Sequence, residues 1–387
     1  MNPKRTILTV VLACSLLASV GASADWYSLD WSYRAKVTVN SSQVDGNLND
    51  FPVYVDLSDM PAGFFGNVQS GGEDIRVTTA DGSTETAVEV VTIDTSSETG
   101  EVHFKAPSVS GSSDTDFYLY YGNSGASAYA TPEDVWDDEY LGAWHLDETP
   151  AGTNGTHQDS TSNDEDGTTQ NGVTTDATGK LDGADSFDGT NDRVEFGDID
   201  TSGQAMTVET WVQLKGKAQN SHMALATKTD LDGSWTSNFH LLWHKDDYFT
   251  FGWRTDAWPS VSSATSTISL DTWYHVAGVR ETDGDTSIWV NGENDTDGGT
   301  QTITDNRIPN NVFVSIGDNM NGNWPLEGLL DEVRLSDSAR SGDWISATYR
   351  NQNAPDTFLT IGATEIPEPT AFGLLLLACA AYLRRRR

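Results

Sequence analysis

The chain has 387 residues, with 58 acidic against 22 basic side chains and a formal net charge of −36. So negative a surface repels nucleic acid and anionic membranes, whereas divalent cations, neutral sugars or a saline habitat suit it. The two cysteines, Cys14 and Cys379, fall in the two terminal apolar runs, so the stretch between them holds no disulfide, thiolate metal site or cysteine nucleophile.

Residues 1–24 read as a signal peptide. Lys4 and Arg5 form a basic start, Ile7 to Val20 an apolar run, and Ala22-Ser23-Ala24 a small-residue cleavage site, so the mature chain begins near Asp25. From there to about residue 140 the pattern is of short alternating strands. Tyr33, Ala35, Val37 and Val39 share one face of the first, and Phe51 to Leu57 repeats the period of two. Asp74 to Thr79, Ala87 to Ile93, Val102 to Lys105 and Phe117 to Tyr121 follow, separated by Gly, Ser, Asp and Asn, which predicts a small antiparallel β-sandwich over 25–140. Trp31-Ser32-Tyr33-Arg34, Phe51-Pro52-Val53, Asp74-Ile75-Arg76-Val77 and Tyr118-Leu119-Tyr120-Tyr121-Gly122-Asn123 occur in the order of an uncharacterised bacterial β-domain that this stretch resembles. That resemblance supplies no activity.

Thr131 to Glu139 reads as a junction, and Thr149 to Lys180 as a long polar loop, a length that is usually functional or disordered. Strand patterns then return at Arg193 to Phe196, Met206 to Leu214, Phe239 to Trp243, Tyr248 to Trp253, Trp273 to Arg280, Thr286 to Val290, Val312 to Ile316, Gly328 to Leu335 and Phe358 to Ile361, and only Ala339 to Tyr349 suggests a short helix. Asp159-Ser160-Thr161-Ser162-Asn163, Phe187-Asp188-Gly189-Thr190-Asn191-Asp192 and Val208-Glu209-Thr210-Trp211-Val212 come first in an ordered set of motifs. Thr272 to Val279, Trp289-Val290-Asn291-Gly292 and Gly328 to Arg334 complete it. With this set, residues 141–363 resemble the laminin-G-like, concanavalin A-like jelly-roll superfamily. The fold class expected is therefore all-β, two antiparallel sandwiches with the second a jelly roll.

The end of the chain, 364–387, resembles a PEP-CTERM sorting signal. It carries Pro367-Glu368-Pro369, an apolar run from Ala371 to Leu383, and Arg384 to Arg387. Thirteen helical residues rise about 20 Å, short of the ~30 Å hydrocarbon core. The resemblance implies transient inner-membrane anchoring, an exosortase-type protease as partner, and delivery to the cell surface or extracellular matrix of a Gram-negative bacterium.

Catalysis is disfavoured. Glucanases of this fold use carboxylates at alternate positions of one strand, Glu-x-Asp-x-x-Glu, which no strand here carries; Asp331 and Glu332 are adjacent, so regular alternation sends them to opposite faces. A nucleophile elbow, a His-Glu-x-x-His pair and a phosphate loop are likewise missing from the sequence. The seven histidines are scattered, and His145 and His275 read as structural strand residues. For a metal, the acid-rich loop Asp159 to Asp166 offers oxygen ligands for Ca²⁺. The laminin-G-like resemblance implies a structural calcium held by Asp159 and Asp331, with Asp147 as a third ligand; solvated loop acids are the competing reading. For a ligand, Trp235, Trp258 and Trp324 lie in loop-like stretches where a ring could stack on a pyranose, although sandwich-end packing accounts for such rings equally. The function expected is an exported, non-catalytic protein that binds glycans or other surface polymers. The alternatives are a divergent polysaccharide hydrolase or lyase, and a purely structural or adhesive matrix protein.

Overall fold

The computed structural model describes residues 25–148, 156–176, 179–201, 203–217, 221–229, 237–254, 259–304 and 313–367. The signal-peptide expectation falls on residues outside these, as does the sorting-tail expectation beyond Pro367; Thr364 and Glu365 of that tail belong to a strand. No described helix is long and apolar enough to cross a membrane.

The first sandwich contains β1 (Tyr33–Val39), β2 (Leu48–Asp56), β3 (Arg76–Thr79), β4 (Glu85–Thr86), β5 (Val88–Asp94), β6 (Thr99–Val109) and β7 (Thr115–Tyr121). Its core follows from alternation. Ala35, Val37 and Val39 on β1, Val53 and Val55 on β2, and Val102, Phe104 and Ala106 on β6 turn inward and are fully buried. Sheet order is β2-β6-β5 on one side and β1-β7-β3-β4 on the other.

The second sandwich begins at β8 (Tyr140–Trp144), followed by β9 (Thr156–His157), β10 (Gly167–Gln170), β11 (Thr174–Asp176), β12 (Ala184–Asp188) and β13 (Arg193–Glu195). Next come β14 (Met206–Leu214), β15 (His222–Thr229), β16 (Ser237–His244), β17 (Tyr248–Arg254), β18 (Ser260–Ser262) and β19 (Trp273–Arg280). β20 (Asp285–Val290), β21 (Glu293–Asn294), β22 (Gln301–Thr302), β23 (Ser315–Ile316) and β24 (Glu327–Ser336) complete it. One layer has the order β18-β17-β16-β15-β23-β13-β10-β9. The other runs β11-β12-β24-β14-β19-β20-β21, with β8 also on β24 and β22 on β20. Val208, Val212, Leu225, Leu241, Phe251 and Leu330 fill the space between the layers. The polar stretch expected to be one long loop contributes the short strands β9, β10 and β11.

The chain then returns to the first sandwich. α1 (Gly342–Asn353) starts at Ser341, whose Oγ accepts the Trp344 N–H at 3.2 Å, and ends just before Pro355, where a helix is disfavoured. It lies on β2, with Trp344 edge-on to Phe51 at 5.1 Å, and Asn351 exchanges two hydrogen bonds of 2.8 and 2.9 Å with the Tyr54 backbone. A short turn, α2 (Pro355–Phe358), leads into β25 (Leu359–Glu365). β25 pairs antiparallel with β1, Val37 opposite Ile361 and Val39 opposite Leu359. Thus the last strand, which the pattern groups with residues 141–363, completes the sheet of the first sandwich. Phe358 and Leu359 join that core beside Phe51.

Phe358→Ala should therefore cost about 3–5 kcal/mol in urea unfolding, the usual loss for a fully buried ring. A loss below about 1 kcal/mol would show that the returning segment does not belong to the first core.

Candidate functional site

The outward face of β5 and β6 would meet solvent in a lone sandwich. Here the second sandwich covers it. Glu101 and His103, two apart on β6 and so on one face, are 2% and 0% exposed. Facing them across the junction are His145, directly after β8, and Glu332 on β24.

The second pair is positioned by a defect in β24. One edge of this strand is shared end to end: Leu330 pairs with Asp185 of β12, and Val333 with Trp144 of β8. Between these pairings the register against β14 slips, from Asp331 opposite Trp211 to Arg334 opposite Glu209. Glu332 adopts φ +52°, and Leu146, next to His145, adopts φ +61°. Non-glycine residues in this left-handed region cost about 1–3 kcal/mol each, and such residues gather where a side chain must be aimed. The strict alternation expected for Asp331 and Glu332 is broken by this bulge.

His145 Nδ1 lies 2.5 Å from Glu332 Oε1 and 3.4 Å from Glu101 Oε1, and His103 Nε2 lies 2.7 Å from the same Glu101 oxygen. The four donor atoms are all within 4.8 Å of one another, and among the described residues no other His, Cys, Asp and Glu side chains form such a group of three or more. The imidazoles of His103 and His145 stack at 5.0 Å, and Trp136 flanks both. Around this quartet, Arg334 pairs with Glu332, and Gln352 Nε2 donates to Glu332 Oε2 at 3.1 Å. Trp211 Nε1 in turn donates to Gln352 Oε1 at 2.7 Å. Trp136 Nε1 holds Glu89 Oε2 at 2.8 Å, and that oxygen lies 3.6 Å from His145 Nε2. Burial opposes charge on His145, but Glu332, Glu101 and Glu89 outweigh it and lift its pKa well above the usual histidine value. Burial opposes charge on Glu332 too, pushing it up, and His145 and Arg334 overturn that to hold it below the usual carboxylate range. Such a group can hold a proton or a divalent ion between its members.

A second candidate surface is the outward face of β15, β16 and β17. Met223, Phe239, Leu241, Phe249 and Phe251 point into the core, so alternation turns His222, His240, His244 and Tyr248 outward. His244 stacks on Tyr248 at 4.4 Å, His222 meets His244 edge-on at 4.8 Å, and both histidines and Tyr248 are partly exposed. Burial and neighbouring rings pull His222 down to about 4 and His240 down to about 3, so both are neutral at physiological pH.

The residues singled out in the sequence are not brought together. Trp235 and Trp258 lie outside the described residues. Trp324 is 7% exposed, packed on Ala224 and Leu242 beneath His222, because the turn 318–324 folds against the sheet. It is a buried support and not the solvent-facing ring that the loop composition suggests. Asp159 accepts from the backbone N–H groups of Ala143, Thr161 and Glu165 and from the Thr161 hydroxyl, so it ties its loop together. Asp331 Oδ2 accepts the N–H groups of Lys180 and Leu181 at 2.7 and 3.0 Å. Asp147 is pushed up to about 7 chiefly by burial. Asp147, Asp159 and Asp331 thus sit in separate settings and share no ligand cluster among the described residues. The strand pattern also makes His145 an ordinary structural residue, whereas it is the centre of the junction cluster. Its partners had one signal: Glu101-x-His103 and Glu332-x-Arg334 both put polar pairs two apart on strands.

Comparison with known proteins agrees with this architecture. Residues 188–346 match the concanavalin A-like lectin/glucanases superfamily, and residues 71–151 match a domain of unknown function (DUF2341). The second sandwich is a concanavalin A-like jelly roll. Domain 4 of AbnA, an extracellular arabinanase from Geobacillus stearothermophilus solved with arabinotriose, is similar at 18% identity and a TM-score of 0.42, covering 54% of this chain and 97% of that one. A Trypanosoma rangeli sialidase gives 11% identity and a TM-score of 0.44 over 66% of this chain and 43% of its own. The binding domain of Paraclostridial Mosquitocidal Protein 1 gives 14% and 0.44 over 55% and 52%. No curated protein sequence matches.

The turn beneath the aromatic face yields a pH prediction. Asp318 Oδ1 accepts the N–H groups of Asn319 and Trp324 at 2.7 and 2.8 Å, yet burial pushes this carboxyl up to about 6. The fold therefore favours the protonated acid. That contribution is full below the ordinary carboxylate pKa of about 4 and is lost as pH rises through the folded value. Asp318→Asn should flatten this fall, leaving the variant relatively more stable at pH 8 than at pH 4 in urea melts. A slope identical to that of the unaltered protein would count against it.

Proposed function

We propose that the protein is an exported, non-catalytic component of the cell surface or matrix that binds glycans through the outward face of β15, β16 and β17. The observation that carries this reading is the partly exposed, stacked strip of Tyr248, His244 and His222 on that face, with Trp324 packed beneath it. A pyranose C–H face packs well on such rings. The neutral imidazoles can exchange hydrogen bonds with hydroxyls without the desolvation cost of a charge. The jelly-roll match fits a sugar-directed role, although its description spans lectins and glucanases alike. Binding rather than cleavage is favoured because β15, β16 and β17 contain no Asp or Glu, whereas glycoside hydrolysis needs a carboxylate pair. Export by the signal peptide, which rests on its residue pattern, and sorting by an exosortase-type protease at the terminal Pro-Glu-Pro segment, which rests on the sequence resemblance, belong to the same proposal. Trp235 and Trp258 are proposed as further ligand contacts.

Affinity electrophoresis against a panel of polysaccharides tests the reading. Tyr248→Ala and His222→Ala should each weaken binding about tenfold, about 1.4 kcal/mol, with the melting temperature nearly unchanged. Binding should be flat from pH 6 to 9 and fall as pH drops through about 4, where His222 charges. Retained affinity in the double variant would remove this face from the proposal. Release of reducing ends from any polysaccharide would point instead to a hydrolase or lyase, and a blank panel with protein-dependent cell aggregation to an adhesive protein.

A further inference from the structure

We infer that Glu101, His103, His145 and Glu332 form a structural site for a divalent transition ion of the zinc type, which joins the two sandwiches. Two ligands come from each side of the junction, so the complete set exists only when the domains are docked.

The geometry is that of a closed four-ligand site. Tetrahedral ligands at about 2.0–2.1 Å from Zn²⁺ stand about 3.3 Å apart. The His145 Nδ1–Glu101 Oε1 separation is already 3.4 Å. The His103–Glu101 and His145–Glu332 pairs stand at 2.7 and 2.5 Å, so the ion needs them to part by less than 1 Å, and the wider pairs, all within 4.8 Å, to close by at most about 1.5 Å. Two imidazoles with two carboxylates suit zinc and its neighbours, whereas Ca²⁺ takes six to eight oxygens and would find only the two carboxylates here.

The surroundings fit as well. A metal-bound histidine commonly gives its other ring N–H to a carboxylate. Glu89 lies 3.6 Å from His145 Nε2 and is itself held by the Trp136 indole. Glu332 offers Oε1 to the cluster while Arg334 and Gln352 hold its Oε2. The ion replaces the protons that the ring nitrogens otherwise share with Glu101 and Glu332, and these pass to solvent. Two carboxylates and two neutral imidazoles then balance the 2+ charge. Elsewhere, His275 Nε2 and Glu209 Oε2 form a buried pair at 3.4 Å that belongs to no such group among the described residues.

The test uses the whole chain and two metals. Protein stripped with chelator and returned to Zn²⁺ should hold about one ion per chain by plasma mass spectrometry, with a higher melting temperature than the stripped form. Co²⁺ should give the visible bands of a tetrahedral nitrogen and oxygen site. His103→Gln and Glu101→Gln should each abolish the cobalt spectrum, Glu89→Gln should weaken zinc binding 10–100-fold, and His275→Gln should leave it unchanged. Uptake should weaken as pH falls, since ligand protons compete. If a ligand variant does not fold, the unaltered protein still decides. Failure to retain zinc, to take up cobalt or to shift its melting temperature with either ion would overturn the site, leaving the quartet as a buried histidine–carboxylate network. Because β15, β16 and β17 lie in the other layer, loss of zinc without loss of glycan binding, or the reverse, separates this site from the glycan-binding proposal.

Discussion

Burial of the outward face of β5 and β6 is the constraint on which the junction depends. That face presents Glu89, Glu101 and His103, polar groups a solitary sandwich would leave in water. Docking the second sandwich removes the water, and an uncompensated buried charge costs several kcal/mol. Every carboxylate there must find a cation, a donor or a shared ion. Glu101 meets His103 and His145, and Glu332, which docks against this face, is paired with Arg334, itself over the Trp136 ring at 4.9 Å. The donors are Trp136 and Gln352. Removing one member strands its partner, so the network fixes one docking geometry even where its net contribution to stability is small.

The covalent path enforces the same geometry. Because α1 lies on β2 and β25 closes the sheet beside β1, the chain leaves the first sandwich, builds the second and returns. The first hydrophobic core accordingly includes Ala143, Ala277 and Val279 from the second sandwich and Trp344, Ile345 and Phe358 from the returning segment. Asn351 acts as a further strand partner for Tyr54 on the edge of β2, which covers an edge that would otherwise invite pairing with another chain. The bulge at Glu332 belongs to this arrangement. Where β12 gives way to β8 along β24, the ladder has a gap, and through that gap His145 leaves β8 toward the first domain.

Much of the architecture was legible in the sequence because the two-residue period survives wherever one face is buried. Tyr33–Val39, Met206–Leu214 and Trp273–Arg280 have the bounds that their patterns give. β15 was not legible. Its run His222-Met223-Ala224-Leu225-Ala226 lacks β-branched residues and Phe, Tyr or Trp, and its strand state comes from pairing with β16 and β23. The junction cluster was hidden for a different reason. Glu101 and His103 fall where a solvated outer face would put them, and a strand pattern cannot distinguish water from another domain as the neighbour. Trp324 misled in the opposite sense, since its Asn-Gly-Asn setting marks a turn but does not say that the turn folds down onto the sheet. The carboxylates assigned to calcium looked like ligands because anchoring a loop and binding a cation draw on the same residues. Only the N–H groups that Asp159 and Asp331 accept distinguish the two uses.

Charge is partitioned in the same way. Most of the chain's acids lie outside, where water screens them, whereas those inside meet either a basic side chain, as Glu332 meets His145 and Arg334, or backbone N–H groups, as Asp318 and Asp331 do. The outward face of β15, β16 and β17 lacks acids within its strands and carries imidazoles that burial keeps neutral. In a molecule of net charge −36 that face is one where an uncharged, hydroxyl-rich ligand can settle without displacing a tightly held ion. The junction has the opposite character, dense in charge and closed to solvent. One layer of the jelly roll is therefore committed to the first sandwich through β24, and the other is left to present a surface.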